Sequence, residues 1–172
     1  ASTTATVKDE VFKWMLKQRW QPDIRTVSPW FDNKNYIKAL ALTVKKHLKD
    51  RDRIDKLLIS FHGIPKRYFM AGDPYHCHCI KTARLLKEEL KWPQNKVLVT
   101  FQSRFGPEPW LQPYTDETII KLAKKGSENI AVIAPGFISD CLETLEELNV
   151  EARELFFENG GKTFQYIPCL ND

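Results

Sequence analysis

The sequence has no apolar run that approaches the length of a membrane span. Its amino terminus also lacks the basic-then-apolar layout of a secretory signal peptide. We therefore expect a cytoplasmic location, and contact with the surface of a membrane is left open. The basic residues are scattered rather than gathered in one block, and the net charge is only +4. Nucleic acid is therefore not an expected partner.

Glycine is scarce, with seven residues in 172, and no strand-to-helix connection carries a Gly-x-Gly-x-x-Gly or Walker pattern. Without such a phosphate cradle, nucleotide binding is not expected. Internal repeats, low-complexity tracts and linkers are missing as well. With 42% hydrophobic residues, residues 1–172 are predicted to form a single domain with a substantial core.

Cysteine is limited to four residues, Cys77, Cys79, Cys141 and Cys169. Without a secretory context they are expected to be free thiols or metal ligands rather than disulfides. The run His-Cys-His-Cys at 76–79 looks like a metal site. On a helix, however, Cys-x-Cys points its two thiols about 200° apart, and a closed zinc site would need two further ligands.

Apolar runs that end in turns alternate with amphipathic stretches along the chain. The runs read as strands at 23–27, 56–63, 96–103, 130–134 and 163–167, the first of them short and at an edge. The amphipathic stretches read as helices at 2–19, 32–48, 74–91 and 115–125, with a fifth after Pro135. This alternation predicts an α/β fold, an open parallel sheet of four or five strands with helices on both faces in a Rossmann-type three-layer arrangement.

The fifth helix follows the turn at Pro135 and Gly136. Ser139 or Asp140 is predicted to cap it, with Glu143 at capping-box distance from Asp140.

A row of carboxylates is predicted along one side of this helix, because glutamates recur every four residues at Glu143, Glu147 and Glu151. Neighbours in such a row lie only about 40° apart around the axis. A solvated face is the ordinary interpretation, yet no Lys or Arg follows four residues after Glu143 or Glu147 to relieve the repulsion. The row also starts just past the carboxyl end of a strand, where open α/β sheets bind ligands. These features predict a metal site or a proton relay.

His62 ends the strand at 56–63, and we expect it at the same edge of the sheet as residues 102–106 and 135–137. Imidazole titrates near neutral pH and can bind a metal or accept a proton. Together with carboxylates it suits a divalent first-row metal such as iron. Trp110 lies in a loop rich in Gly and Pro, and we predict that its ring forms one wall of a binding site for a flat apolar ligand.

At these same residues the sequence resembles the ferrochelatase family, whose members insert ferrous iron into protoporphyrin IX. The similar stretches are SFHGIP (60–65), GDPY (72–75), TFQSRFG (100–106), PWL (109–111), TDE (115–117) and SDCLETLEE (139–147). They span most of the chain and are highly specific together.

The resemblance implies roles for individual residues. His62 and Glu143 would face each other across the porphyrin cleft as the catalytic pair. Glu147 and Glu151 would continue from them as an acidic path for metal or protons. Four further residues would line the porphyrin: Gln102, Ser103, Trp110 and Phe137.

Ferrochelatases have two similar α/β domains, and this chain resembles only the second. The resemblance thus implies that an N-terminal half and a final C-terminal helix lie outside this sequence, and that the chain alone is inactive. Some bacterial members hold a two-iron two-sulfur cluster, whose ligands are not assigned to these cysteines. Two alternatives remain: a related chelatase that inserts cobalt or iron into sirohydrochlorin, and a non-catalytic metal- or ligand-binding α/β module.

Overall fold

Four parallel strands form the centre of the computed structural model, which describes residues 2–48 and 53–171. The strands are β1 (Lys56–His62), β2 (Val97–Gln102), β3 (Asn129–Ile133) and β4 (Thr163–Ile167), in the spatial order β2-β1-β3-β4. Every pairing is parallel. Their near-continuous apolar runs are buried on both faces, as parallel strands require. The predicted open parallel sheet is confirmed, with four strands.

Helices precede and connect the strands. They are α1 (Ser2–Met15), α2 (Lys34–His47), α3 (Lys66–Met70), α4 (Tyr75–Leu90), α5 (Thr115–Lys124), α6 (Leu142–Leu145) and α7 (Ala152–Glu158). A 3₁₀ turn (Gln94–Lys96) leads into β2, and a π-helical turn (Glu147–Glu151) joins α6 to α7. None of these helices is long and apolar enough to cross a lipid bilayer.

The strands alternate their side chains between two separate cores. Leu57, Ile59 and Phe61 pack beneath α2 and α4 on one face of the sheet. Leu58 points the other way and packs with Ile119 of α5 and with residues of α7. Helices therefore cover both faces of the sheet, as the sequence predicts.

Three local predictions differ from the structure. Residues 23–27 form no strand; their side chains are exposed and no neighbouring strand in the described chain pairs with them. An isolated edge segment has no ladder to hold it. The first helix ends at Met15 rather than at Arg19. The connection at 64–73, between the predicted strand at 56–63 and the predicted helix at 74–91, contains the short helix α3 instead of being a loop throughout.

The strand order creates a switch point between β1 and β3. The chain leaves β1 for β2 on one side and then returns to β3 on the other side of β1. At such a point the adjacent connections diverge and leave a crevice at the carboxyl ends of the strands. The ends of β1 and β3, where His62 and residues 135–137 lie, therefore border that crevice.

Candidate active site

The imidazole of His62 lies at the switch point between two aromatic rings. Its ring centroid is 6.3 Å from that of Trp110 and 6.4 Å from that of Phe137. His62 is the last residue of β1 and pairs in register with Gln102 of β2. β3 ends three residues earlier in register, opposite Ile59, and this leaves room for Phe137 beside the imidazole. The structure thus brings together one residue from the end of a strand and two from separate loops.

A close backbone approach holds Trp110 over the end of β1. The chain at 64–66 runs antiparallel to that at 109–111: Leu111 N donates to Ile64 O over 3.0 Å, and Lys66 N donates to Pro109 O over 2.9 Å. A Cβ on Gly63 would lie 3.0 Å from the Gln102 carbonyl oxygen and 3.1 Å from the Trp110 ring. Glycine is therefore needed beneath the indole.

The hydrogen bond made by the His62 ring sets its tautomer. Nδ1 lies 2.6 Å from the carbonyl oxygen of Gly63. Because a carbonyl oxygen can only accept, Nδ1 carries the hydrogen and Nε2 carries the lone pair. Nε2 is thus the nitrogen that can accept a proton or bind a metal.

The cap of α6 differs from the predicted one. Cys141 occupies the N-cap position, and its backbone N–H donates to Thr144 Oγ1 over 2.9 Å. Asp140 instead accepts from Thr144 Oγ1 over 3.0 Å and from the Tyr166 hydroxyl. The predicted capping box between Asp140 and Glu143 is therefore wrong. The Asp140 carboxylate is drawn away from the helix end by its tertiary partners, which the sequence spacing does not show.

Glu143 lies at the start of α6 with its carboxylate partly exposed. A hydrogen bond with the Cys141 side chain, its own backbone N–H and the charge of nearby His62 hold the pKa of Glu143 below its usual range. The carboxylate is therefore ionised at neutral pH. Cys141 was not among the predicted site residues; its only sequence signal is its position two residues before Glu143.

Glu147 is bound by the end of β2. Its carboxylate accepts from Ser103 N over 2.6 Å and from the Ser103 hydroxyl over 2.5 Å. The amide of Gln102 donates to the backbone oxygen of Glu143 over 2.6 Å. The Gln102 side chain is 4% exposed and also accepts from Ser60 Oγ over 2.7 Å. In this structure Gln102 and Ser103 therefore bind the acidic segment, residues 143–151. They hold it at the rim, which is the edge of the sheet where the carboxyl ends of the strands lie.

The acidic row follows a π-helical turn instead of a regular α-helix. Glu151 N donates to Glu146 O over 2.9 Å, the five-residue closure of a π-helix. Glu143, Glu147 and Glu151, joined by Glu146, line a cavity of about 430 Å³. The row runs outward, because Glu143 and Glu147 are partly buried and Glu151 is exposed.

The His-Cys-His-Cys run lies in the first turns of α4, and its side chains diverge. Cys77 is exposed and Cys79 is buried, as the helical angle predicts. The His76 ring lies 4.9 Å from that of Phe69, and the His78 ring stacks on Phe31 at 3.8 Å. The two histidine rings and Cys79 therefore pack against neighbouring side chains, whereas Cys77 is exposed.

Cys141 and Cys169 lie at a different place, around Asp140, and neither is in a disulfide. Within residues 2–48 and 53–171, no three His, Cys, Asp or Glu side chains are placed to share one metal ion. The four thiols therefore do not fit an iron–sulfur cluster in this arrangement, since such a cluster takes four cysteine ligands. The same result means that His62, Glu143 and Glu147 do not together form a closed metal site.

The fold and the rim define an α/β protein with a crevice at the switch point, bordered by aromatic rings, a histidine and an acidic helix, which is where proteins of this class bind ligands. The sequence matches the ferrochelatase family over residues 1–172. The chain belongs to the ferrochelatase family.

Individual relatives agree with this assignment. All of this chain matches ferrochelatases from Allorhizobium ampelinum at 62% identity and from Rhizobium meliloti at 61%, covering 50% and 51% of those proteins. A ferrochelatase from Francisella tularensis is 53% identical, and 52% of it is covered. The chain thus spans about half the length of the curated relatives it matches.

Proposed function

We propose that this chain is the half of a ferrochelatase that carries the central pair for inserting ferrous iron into protoporphyrin IX, a lyase reaction. The observation that carries the proposal is the position of His62. Its ring centroid lies within 6.4 Å of those of Trp110 and Phe137, its Nδ1 is bonded to Gly63 O, and its charge helps to lower the pKa of nearby Glu143. Iron and the porphyrin are both substrates of this reaction.

His62 would accept a proton from the macrocycle or guide the metal towards it. Insertion removes two protons from the pyrrole nitrogens, so a base must lie at the face of the ring. The negative charge of Glu143 would attract the imidazolium that forms when His62 takes up a proton.

Trp110 and Phe137 would hold the ring of the porphyrin at the rim. Trp110 Nε1 is buried and has no hydrogen-bond partner among the described residues, which leaves a donor at the proposed substrate site. Gln102 and Ser103 would act here mainly by fixing Glu143 and Glu147 beneath the substrate.

Glu147 and Glu151 would carry iron towards the centre or protons away from it. Glu147 is held at the rim, Glu151 reaches solvent, and the cavity that they border opens between them. A row of carboxylates in such a channel attracts a divalent cation and offers oxygen ligands to it.

The other half of the enzyme would close the cleft from the opposite side. The chain is about half as long as its relatives, and α1 leaves apolar side chains exposed along one face, with Val7 at 60% and Trp14 at 52%. Such a face is typical of a docking surface. We further propose that residues 1–172 form the second domain, and that the enzyme is cytoplasmic with peripheral contact to a membrane.

The test is a zinc–porphyrin fluorescence assay on the isolated chain and then with the other half added in trans. The chain alone is expected to show no turnover, because a macrocycle on one rim keeps its second face in water and is not bent. Added half-enzyme should restore activity, and the same mixture with His62→Ala should not regain it. Turnover by the chain alone would contradict the proposal that the chain supplies only one side of the cleft. Zinc binding with an unchanged porphyrin spectrum in both mixtures would favour the non-catalytic module.

A further inference from the structure

Tyr75 lies on the other side of β1 from the acidic segment, yet it contacts the backbone of His62. It is the first residue of α4, and its backbone N–H donates to Asp73 Oδ1 over 2.9 Å, which fixes the start of the helix. Its hydroxyl donates to the carbonyl oxygen of His62 over 2.9 Å. Burial raises the pKa of the Tyr75 phenol, so it remains a protonated donor.

The His62 carbonyl needs this donor because the sheet is incomplete beside it. Gly63 N donates to Gln102 O of β2 over 2.8 Å. In a trans peptide the C=O points opposite to the N–H, so the His62 carbonyl faces the β3 side. β3 has already ended there, since its last residue, Ile133, pairs with Ile59. The Tyr75 hydroxyl takes the place of the absent strand amide.

The peptide held in this way, 62–63, directly precedes the 63–64 peptide, whose carbonyl oxygen contacts the imidazole. Its own N–H, that of Gly63, is bonded to β2, and the next two peptides are held by His62 Nδ1 at Gly63 O and by Leu111 N at Ile64 O. Only the His62 carbonyl depends on a side chain from another element. Without that bond the 62–63 peptide is held by its N–H alone, so it can tilt about that remaining bond, and the contact between Nδ1 and the adjoining Gly63 O should weaken.

We propose that Tyr75 is a positioning residue, which holds the His62 backbone so that Nδ1 is protonated and Nε2 faces the rim. The consequence for turnover rests on the proposed function of His62. The effect on the imidazole itself does not.

A matched control is present at the next strand end. The hydroxyl of Tyr36, on α2, donates to the carbonyl oxygen of Pro135, just past β3. Tyr36→Phe therefore removes the same kind of bond from the same rim without touching His62. Tyr75→Phe and Tyr36→Phe should lower the thermal midpoint to a similar degree, so stability alone does not separate them.

The primary measurement is the ¹⁵N spectrum of the histidine rings in the whole chain across pH, with the His62 signals assigned by their loss in His62→Ala. Wild type and Tyr36→Phe should show His62 mainly as the Nδ1–H tautomer, whereas Tyr75→Phe should give a mixture of tautomers. If Tyr75→Phe does not fold, 3-fluorotyrosine at position 75 keeps the ring and changes the donor strength. It should shift the His62 nitrogens, and the same analogue at position 36 should not. An unchanged His62 spectrum on altering position 75, or equal changes from both positions, would overturn the proposal.

A second measurement uses a full-length ferrochelatase that carries this chain as its second half. Tyr75→Phe is expected to lower kcat about tenfold with KM for the porphyrin within about twofold, while Tyr36→Phe leaves both near wild type. Suppose that Tyr75→Phe changes the tautomer of His62 while His62→Ala leaves turnover unchanged. That result would uphold the positioning role of Tyr75 and refute the proposed function of His62.

Discussion

Two parts of this chain resemble metal sites in the sequence, and the structure treats them differently. At the rim, His62 comes from the end of β1, Trp110 and Phe137 from two loops, and Glu143 from α6. At residues 76–79, four metal-type side chains are consecutive on α4, yet they separate into an exposed thiol, a buried thiol and two stacked rings.

The difference shows that convergence of separate elements matters more than closeness in sequence. Consecutive residues on a helix are spread around its axis, so they rarely face one ligand. Residues at the ends of parallel strands share one edge of the sheet whatever their separation in sequence. The rim therefore brings together reactive side chains that lie more than 80 residues apart in the sequence, from His62 to Glu143.

The largest expected difference concerns the two histidines. In a full-length ferrochelatase carrying this chain, His62→Ala should lower turnover about a hundredfold or more, the scale of losing a positioned acid–base group. His78→Ala removes a ring stacked on Phe31, so it should cost about 1 kcal/mol of unfolding free energy and leave turnover within about threefold. Steady-state assays and thermal unfolding measure the two effects. Retention of a tenth of wild-type turnover by His62→Ala would refute its role.

A smaller difference is expected within the acidic row. Glu143→Gln removes the charge beside His62 and should reduce turnover about tenfold or more, equivalent to about 1.4 kcal/mol of barrier. Glu151→Gln, at the solvent end, should change it by about twofold at most. The same order is expected when ferrous iron or zinc is titrated into each variant. Equal effects at the two positions would instead indicate an ordinary solvated helix face.

The smallest effect on the folded protein is expected at the cysteines, of which Cys77 is exposed and Cys79 and Cys169 are buried. Burial raises the pKa of Cys79 and of Cys169 to about 12, so at pH 8 both thiols should react with a disulfide reagent about a hundredfold or more slowly than exposed Cys77. Cys77→Ser should remove the fast phase and leave unfolding free energy within about 0.5 kcal/mol. The measurement is the time course of thiol labelling on the chain itself. Fast labelling of Cys79 would show that the start of α4 opens readily.

Short-range predictions succeeded where one segment decides its own structure. The buried strands and the helix predicted at 32–48 follow from local pattern. In the structure the side chain of Asn33 caps this helix, α2, by accepting from the backbone N–H groups of Asn35 and Tyr36. Predictions failed where a distant partner competes. Asp140 accepts hydrogen bonds from the side chains of Tyr166 and Asn171, and from that of Thr144, instead of capping the backbone of α6. Residues 23–27 have no strand in the described chain to pair with.

The sequence by itself determined the open parallel α/β sheet of four or five strands, the edge at which His62 and the acidic helix emerge, and the family. These depend on apolar periodicity, on turn residues and on motifs, all of which are local properties. Only the tertiary structure decided that Nε2 of His62 bears the lone pair, that Ser103 holds Glu147, and that Tyr75 holds the His62 carbonyl. The last two contacts join separate elements of the fold. The first joins neighbouring residues, whose backbone is held past the end of β1 by bonds from β2 and from Tyr75.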